Sequence, residues 1–410
     1  MERMAEVVPD ADDQVLQHFL THSRWNAGAV MTRVARQVDH SLGGTGDSAL
    51  YLDESAFKKS GAHSVGVARQ WNGRLGKIEN SQVGVFAALG KGERVGLIDA
   101  RLYLPQAWSE DGRRCAQAGI PPQCRRHQTK LEIALAMVRH ARRNGVRFQW
   151  VGMDSLYGNA PWLLRALDAD GEVFVADVHK NQHIYLEDPQ PYLPRRKRAW
   201  GRPVTRHDSH AKPIAVGAWV KRQQQGWKKK ILRNACRGRL EIEVLHQRVW
   251  IWEAGSEQAH QWHLIVRREI DAPHEIKYSL SNAPASTSVL RLAKMQGQRY
   301  WIERAFQDAK SHVGMAQYQA RKWNSWHRHM ALVMMAGLFM LQQRIAYAAT
   351  IPLLSCYDIQ ILLARTLPTK QANADELLRQ LEERHRRRQR DMDSKRKRQQ
   401  RKVRRQEVTS

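Results

Sequence analysis

Apolar residues recur every three or four positions near the start of the chain, between residues 14 and 40. The positions are Leu16, Phe19, Leu20, Val30, Val34 and Val38. This spacing places the side chains on one face of a helix, and glycines at 43, 44 and 46 interrupt the pattern. We therefore predict a short helical segment over residues 1–46.

Short apolar runs separated by glycine-containing turns follow, and they are typical of strands. They cover residues 49–52, 64–70, 82–89 and 94–103. Beyond them the pattern alternates: a helix over 130–144, a strand over 148–153, a helix over 161–167 and a strand over 172–178. This order predicts an α/β fold with helices packed on a mixed sheet. A ribonuclease-H-like sheet is one arrangement with this order, and its first part would span residues 47–182.

The pattern changes near Gln182, where proline and basic residues become frequent. Short alternating strands follow at 214–221, 240–245, 248–253 and 262–267, which predicts a β-rich insertion over residues 183–285. Helical periodicity returns over residues 286–350. Residues 351–410 hold one more helix, near Asp375–Glu383, and a basic tail from Arg384 to Arg405 of a kind that is usually disordered when unbound.

Composition adds one strong constraint, which is charge. The 410 residues include 67 Lys and Arg against 40 Asp and Glu, giving a net charge of +27. A surplus spread along the chain favours nucleic acid as partner, whereas a membrane-surface helix would concentrate it in one segment. The longest apolar run, 330–341, is too short to cross a bilayer, and the acidic start lacks a signal-peptide core. The four cysteines form no C-x-x-C pair, which fits a reducing cytoplasm.

Two aspartates end apolar strands of the predicted sheet. Asp53 follows Ala-Leu-Tyr-Leu, and Asp154 follows Phe-Gln-Trp-Val-Gly-Met. A carboxylate at such a position is costly to bury unless it binds a cation or hydrogen-bond donors. Each could instead cap a following turn or helix. If the two strands are neighbours, both carboxylates project into one site.

A third acid lies on a predicted helix over residues 296–310. Arg299, Glu303 and Lys310 are separated by four and seven positions, so they fall within roughly 60° on one helix face. The alternative is a solvated ion pair between Arg299 and Glu303. Three carboxylates from two strands and a helix suit two Mg²⁺ ions, which prefer oxygen ligands, and Mn²⁺ is expected to substitute. Arg299 and Lys310 would then contact phosphate.

These residues resemble DDE transposases of bacterial insertion sequences, the cut-and-paste group with a ribonuclease-H-like core. The signature of that group is Y-x2-R-x3-E-x6-K. Arg299, Glu303 and Lys310 match it, and Gln296 stands at the Tyr position. Further similarity lies at 53–61, 77–86, 102–105, 154–158, 278–283 and 318–329, so the resemblance spans about residues 45 to 345. A β-rich insertion before the Glu is also a feature of this family.

The resemblance implies a Mg²⁺-dependent nuclease and strand-transferase with metal ligands Asp53, Asp154 and Glu303. Its partner would be double-stranded DNA, at insertion-sequence ends and at target sites, and it would act as a homodimer that synapses two ends, associated with the nucleoid. Related transposases carry a longer helical DNA-binding region than the roughly fifty residues that precede Asp53. A silent, transposase-derived DNA-binding protein and a nuclease of RNA–DNA hybrids are the alternatives.

Basic and aromatic side chains in three stretches and the tail are candidate DNA contacts, and their affinity should fall steeply with salt. Two tryptophans interleave with the basic residues and could stack on bases, or could instead pack along a helix edge. The candidates are Arg195, Arg196, Lys197, Arg198, Lys228, Lys229, Lys230, Arg321, Lys322, Trp323, Trp326 and Arg328.

Overall fold

The computed structural model describes residues 2–195, 204–235, 238–370 and 373–407. The chain divides into two compact units. The larger unit runs from Trp25 to Ile359. The smaller one combines the residues up to Arg24 with those from Gln360 onward.

The strands of the described residues are β1 (Ser48–Lys58), β2 (Ala68–Asn72), β3 (Lys77–Lys91), β4 (Arg94–Leu102), β5 (Trp150–Met153), β6 (Phe174–Val178), β7 (His183–Ile184), β8 (Ile214–Ala215), β9 (Lys228–Ala235), β10 (Gly238–Ile251), β11 (His260–Glu269) and β12 (Ile276–Ser281).

The helices of the same residues are α1 (Glu2–Val7), α2 (Asp13–Thr21), α3 (Ala27–Leu42), α4 (Gln106–Ser109), α5 (Gly112–Ala118), α6 (Lys130–Arg143), α7 (Ser155–Gly158), α8 (Pro161–Ala169), α9 (Val216–Lys221), α10 (Val289–Gln298), α11 (Tyr300–His312), α12 (Trp323–Ala346), α13 (Cys356–Thr366) and α14 (Ala374–Glu407). None of them is long and apolar enough to cross a membrane.

A ten-stranded mixed sheet forms the centre of the larger unit. Its order is β2-β3-β1-β5-β6-β12-β11-β10-β9, and β4 also pairs with β3. β3 runs antiparallel to both β1 and β4, whereas β5 runs parallel to β1, and β6 parallel to β5. Three antiparallel strands followed by two parallel to the first are the order of a ribonuclease-H-like sheet, so the predicted α/β class is confirmed.

The strands after β6, within the β-rich insertion predicted over residues 183–285, continue the core sheet. β12 pairs antiparallel with β6, with Tyr278 opposite Val178, and β11, β10 and β9 extend the same sheet. α10 lies against this extension, and its Leu292 and Ala293 pack with Ile242, Val244 and Ile265. The insertion therefore enlarges the core sheet and provides a surface for the helix that precedes Arg299.

The largest helices of the core pack on the sheet through their apolar faces. α6 begins at a capping box made by Thr129 and Glu132 and buries Ile133 and Met137. α12 contains the apolar run 330–341, and Met330 and Met334 are almost fully buried. Each apolar side chain of this size contributes about 1.5–3 kcal/mol when it is removed from water. The predicted buried helices are confirmed.

Three local predictions differ from the structure. Residues 214–221, predicted as a strand, form the two-residue β8 and then α9, whose Val216, Trp219 and Val220 are buried at helical spacing. The two strands predicted over 240–253 are one long strand, β10. The helical pattern over residues 14–40 forms two helices, α2 and α3, and α3 packs on β4 and α12 in the larger unit, where Val38 and Leu341 meet at Gly96.

The smaller unit holds most of the predicted basic tail, and here the expectation of disorder was wrong. α14 continues to Glu407 without an interrupting glycine or proline, and Lys, Arg, Gln and Glu are good helix formers. Arg384 forms an ion pair with Glu6, and Arg387 pairs with Asp13 at 3.1 Å. The amide of Lys370 donates to the carbonyl of Val7 at 2.8 Å. These contacts join the two ends of the chain within this unit.

Candidate active site

Sheet pairing brings Asp53 and Asp154 side by side. β1 and β5 are parallel neighbours in which Leu52 stands opposite Met153. The residue that follows Leu52 is Asp53, and the residue that follows Met153 is Asp154. Asp154 also caps α7, because its carboxylate accepts a hydrogen bond from the amide of Leu156 at 3.0 Å. Asp154 therefore both caps α7 and lies beside Asp53.

The two carboxylates share a partly desolvated environment that disfavours their charges. Burial raises the pKa of Asp53 well above its usual range, and the negative charge of Asp154 raises it further. Burial and the neighbouring Glu54 raise the pKa of Asp154 to about 6. The guanidinium of Arg299 opposes both shifts. Carboxylates in this situation gain most from an added cation.

Arg299 lies at the junction of α10 and α11, where the predicted continuous helix 296–310 is interrupted. Its Nε donates to Asp177 Oδ2 at 2.9 Å, its Nη2 is 3.1 Å from Glu303 Oε1, and its Nη1 is 4.0 Å from Asp53 Oδ2. One internal cation thus stands between acids from β1, β6 and α11. The predicted ion pair of Arg299 and Glu303 is present.

Glu303 and Lys310 project from the face of α11 that was predicted. The side chain of Glu303 is 53% exposed, whereas that of Asp53 is 14% exposed. Lys310 lies with Nζ 5.8 Å from the ring centres of Phe57 and Phe306. Burial lowers the pKa of Lys310, and the charge of Asp53 partly opposes this effect. Lys310 is therefore close enough to Asp53 to feel its charge and is held among apolar rings. Glu303 reaches the site through its contact with Arg299.

Asp177 is a site residue that the sequence analysis missed. It lies in β6 and accepts hydrogen bonds from Arg299 and, at 2.6 Å, from the hydroxyl of Ser279. The amide of Gln296, which stands at the Tyr position of the signature, donates to that hydroxyl at 2.7 Å. Like Asp53 and Asp154, Asp177 lies near the end of an apolar strand, so the same signal could have found it.

Glu54 occupies the opposite face of β1, as the alternation of a strand predicts. It accepts hydrogen bonds from Lys130 Nζ at 2.9 Å and from the Tyr157 hydroxyl at 3.1 Å. Gly158, four residues after Asp154, has no room for a side chain, since a Cβ there would overlap the carbonyl oxygen of Asp177. α7 is thereby held closely against β6, and its N-terminal aspartate is fixed beside β1.

The donor set fits a hard divalent cation in part. Asp53 and Asp154 offer adjacent carboxylate oxygens whose repulsion a cation relieves. Across the described ranges, however, no group of three or more His, Cys, Asp and Glu side chains is arranged to hold a metal ion. Glu303 is directed at Arg299 instead. The arrangement is that of a two-carboxylate site with a third acid held nearby by an arginine.

The predicted DNA-contact residues are spread over several elements. Lys228, Lys229 and Lys230 lie on β9, the last strand of the sheet. Arg195, Arg321 and Lys322 are exposed, and the ammonium of Lys322 donates to the carbonyl of Gln117. Arg196, Lys197 and Arg198 lie outside the described residues.

Two predictions in this set need correction. Trp326 is fully buried and packs against Phe86, so it cannot stack on a base. Arg328 is 7% exposed, and its guanidinium lies over the ring of Trp25. Trp323 is half-buried, with its ring 4.5 Å from that of His327. The packed-helix alternative therefore describes Trp326 and Arg328, which face inward from α12.

Comparison with known proteins gives results that agree with this geometry. The chain is 28% identical over 187 residues to the "Probable transposase for insertion sequence element IS701" of Microchaete diplosiphon, an alignment that covers 45% of this chain and 46% of the relative. The chain thus spans about half the length of that curated relative.

A solved structure, the NurA nuclease from Sulfolobus solfataricus, aligns over 75% of this chain and 94% of its own at 11% identity. Its TM-score is 0.25, a value that does not establish a shared topology. A family model described as DDE superfamily endonuclease matches residues 1–239, which include Asp53, Asp154 and Asp177 and end before Glu303. The chain belongs to the DDE superfamily of endonucleases.

Proposed function

We propose that this endonuclease is an insertion-sequence transposase that cleaves DNA at element ends and transfers the freed strand, with Mg²⁺ as its cofactor. The observation that carries the proposal is the placement of Asp53 and Asp154 on adjacent parallel strands, next to the Arg299–Glu303 pair of α11. The similarity to the IS701 element protein supports the substrate class, double-stranded DNA at the ends of an insertion sequence.

Asp53 and Asp154 would hold the divalent cation, with Glu303 as the third ligand once it turns from Arg299. Its half-exposed side chain leaves it room to turn. When bound, two Mg²⁺ ions would stabilise the attacking and leaving oxygens of an in-line displacement at phosphorus. Mn²⁺, which also accepts oxygen ligands, is expected to substitute.

The chain's own residues would position the substrate phosphate. Arg299 is anchored by Asp177, so its guanidinium stays at the site even if Glu303 leaves it. Lys310, whose ammonium lies among the rings of Phe57 and Phe306, supplies a second cation. In the first step water attacks phosphorus and the bond to the 3′ oxygen breaks, which leaves a 3′-hydroxyl and a 5′-phosphate. In the second step that hydroxyl gives up its proton and attacks another phosphodiester, a new P–O bond forms, and the bond from that phosphorus to its own 3′ oxygen breaks, which releases a 3′-hydroxyl on the attacked strand.

DNA would be held mainly through its phosphates. The net charge of +27 and the exposed basic residues at 195, 228–229 and 321–322 support this, as does α14. Affinity of this kind falls steeply as salt rises. We infer a homodimer in the complex that joins two element ends, because each end requires an active site, and an association with the nucleoid of the bacterial cytoplasm.

Cleavage of a labelled duplex that carries the flanking element end tests the proposal. We expect Mg²⁺-dependent nicking by the wild type that is lost with EDTA and falls at least ~1000-fold in Asp53→Asn and Glu303→Gln, since each removes a charged ligand at the reacting phosphate. Asp271→Asn, an exposed acid, is the matched control. Undiminished product from Asp53→Asn would refute the assignment.

A second candidate is a DNA-binding protein derived from a transposase and catalytically silent. The observation that favours it is the contact of Glu303 with Arg299, which keeps the third acid away from the aspartate pair. The same duplex decides between them. Tight, salt-sensitive binding with no cleavage under Mg²⁺ or Mn²⁺ would identify the silent form.

A further inference from the structure

A cavity of about 570 Å³ lies beside the junction of α10 and α11. Its walls come from the strands β9 to β12, the two helices and the turn between β3 and β4. Gln298 and Tyr300, the neighbours of Arg299 in sequence, both line the cavity, whereas Arg299, Asp53 and Asp154 are not among its lining residues. The cavity is therefore adjacent to the candidate active site but distinct from it.

Arg267 of β11 is the unusual residue of this cavity. It is 7% exposed. Burial lowers the pKa of Arg267, the charges of Glu269 and Asp177 oppose this shift, and the charges of Arg299 and Arg233 add to it. A largely buried cation in basic surroundings gains from an added anionic ligand.

Two buried atoms of the lining that lack hydrogen-bond partners within the described part of the chain also indicate a ligand in this cavity. Arg233 Nε and Gln298 Oε1 are buried, line the cavity, and lack hydrogen-bond partners among the described residues. Gly297 adds no side chain beside Arg267, where a Cβ would come within 3.4 Å of Nη1. The cavity thus offers both donors and an acceptor that no described protein group uses.

The charge of the lining favours a dianion. Five basic side chains (Arg233, Arg267, Lys277, Arg291 and Lys294) face three carboxylates (Asp47, Glu93 and Glu269), an excess of two positive charges. Arg291 is paired with Asp47, and Arg233 lies 3.8 Å from Glu93. Arg267, Lys277 and Lys294 remain for a ligand. A terminal phosphate carries nearly two negative charges at neutral pH, whereas a phosphodiester within a strand carries one.

An aromatic wall completes the cavity. The guanidinium of Arg233 lies 4.6 Å from the ring centre of Trp301 and 5.6 Å from that of Tyr300. Tyr300 is 47% exposed. Aromatic rings and arginine planes are the surfaces on which unpaired bases stack, at about 1–3 kcal/mol per base.

We propose that this cavity binds the 5′-phosphorylated terminal nucleotide of a cleaved DNA strand, with the phosphate at Arg267 and the base against Tyr300 and Trp301. This rests on the proposed function, because hydrolytic nicking is the reaction that leaves such an end next to Arg299. The site would retain one product of cleavage while the 3′-hydroxyl strand remains free to react.

Binding of a short single strand tests the site. The probe is a hexanucleotide labelled at its 3′ end, compared with and without a 5′-phosphate by fluorescence anisotropy in EDTA. We expect the wild type to prefer the phosphorylated strand by at least ~10-fold, in line with charge-assisted hydrogen bonds to a phosphate. Arg267→Met should abolish the preference, and Arg222→Met, an exposed site with the same charge change, should keep it. Equal affinities in the wild type would overturn the proposal.

A structural role for Arg267 predicts a different result. If the residue only supports the fold, Arg267→Met lowers Tm; if it awaits a ligand, the protein without DNA melts at the same or a higher temperature. Should Arg267→Met fail to fold, the double variant Lys277→Met, Lys294→Met must lose most of the preference, and its retention there would also overturn the proposal.

Asp53→Asn separates this site from the proposed function. That variant should keep the wild-type preference for the 5′-phosphate while it loses cleavage. If no protein form cleaves DNA but the preference is present, the cavity stands and the transposase proposal fails. If cleavage occurs without a preference, the cavity proposal alone fails.

Discussion

Two buried arginines on either side of the α10–α11 junction have opposite surroundings. Arg299 contacts Asp177 and Glu303 and lies 4.0 Å from Asp53. Arg267 lies in the basic cavity, where Glu269 and Asp177 stabilise its charge and Arg299 and Arg233 oppose it.

The difference indicates what each region lacks. Around Arg299 acids outnumber bases, so an arriving cation would relieve repulsion there. Around Arg267 bases outnumber acids, so an arriving anion would do so. A nicked strand would supply both: its metal ions would bring positive charge to the Arg299 side of the junction, and its terminal phosphate would bring negative charge to the Arg267 side.

Among the changes that test this comparison, acidification should lower the cleavage rate most, because it removes the negative charges that distinguish the surroundings of Arg299 from those of Arg267. Protonation of Asp154, with a pKa of about 6, and of Asp53, whose pKa is also raised, leaves the acid cluster without its anionic pair. We expect the single-turnover cleavage rate at fixed Mg²⁺ to fall about 10- to 100-fold between pH 7.5 and pH 5, as one or two protons bind. The 5′-phosphate preference, measured in parallel, should change much less. A rate that is flat over this range would contradict the raised pKa values.

Asp177→Asn should have a smaller effect, because it loosens Arg299 without removing a ligand of the metal. A charge-assisted hydrogen bond is worth about 1.5–3 kcal/mol. Because the amide oxygen of asparagine can still accept from Arg299, we expect a loss at the lower end of this range, a fall of roughly 10-fold in the rate of the chemical step. Asp177 is a positioning residue, so the loss should appear in kcat at saturating DNA and leave KM nearly unchanged. Ser279→Ala, which removes only the hydroxyl behind Asp177, is the control and should cost less. A change confined to KM would argue against this role.

Asp154→Asn should have the smallest effect, on stability. Its folded-state pKa lies above its value in an unfolded chain, so ionisation destabilises the fold as pH rises from about 4 to about 6. Asparagine removes that cost and still caps α7. We expect the free energy of unfolding at pH 7.5 to rise by on the order of 1 kcal/mol after solvent screening. The gain should vanish near pH 4, as denaturant titrations at the two pH values would show. A loss of stability at pH 7.5 would mean that the cap outweighs the repulsion.

The local pattern predicted much of the fold and part of the site. Apolar runs located β1, β5 and β6 and the helices between them, because strand and helix periods are properties of neighbouring residues. The ends of two such runs gave Asp53 and Asp154, which the sheet indeed places side by side. The same rule applied to Phe174–Val178 would have given Asp177.

Other features depend on contacts between distant segments. The pairing of β6 with β12 joins residues about 100 positions apart, and no local period encodes it. The burial of Trp326 follows from which face of α12 meets Phe86, not from the basic residues beside it in sequence. The cavity around Arg267 combines four strands and two helices and has no motif of its own.

The pairing of β6 with β12 also bears on how the protein is made. β6 is synthesised about a hundred residues before its partner, which at roughly 5–20 residues per second is a delay of about 5–20 s. During that interval one edge of an apolar parallel strand has no neighbour, a condition that invites pairing with other chains. α10 and α11 arrive later still. The nascent chain therefore carries Asp53 and Asp154 for some time before Arg299 has been synthesised. During that time the unpaired edge of β6 is the surface that a chaperone would bind.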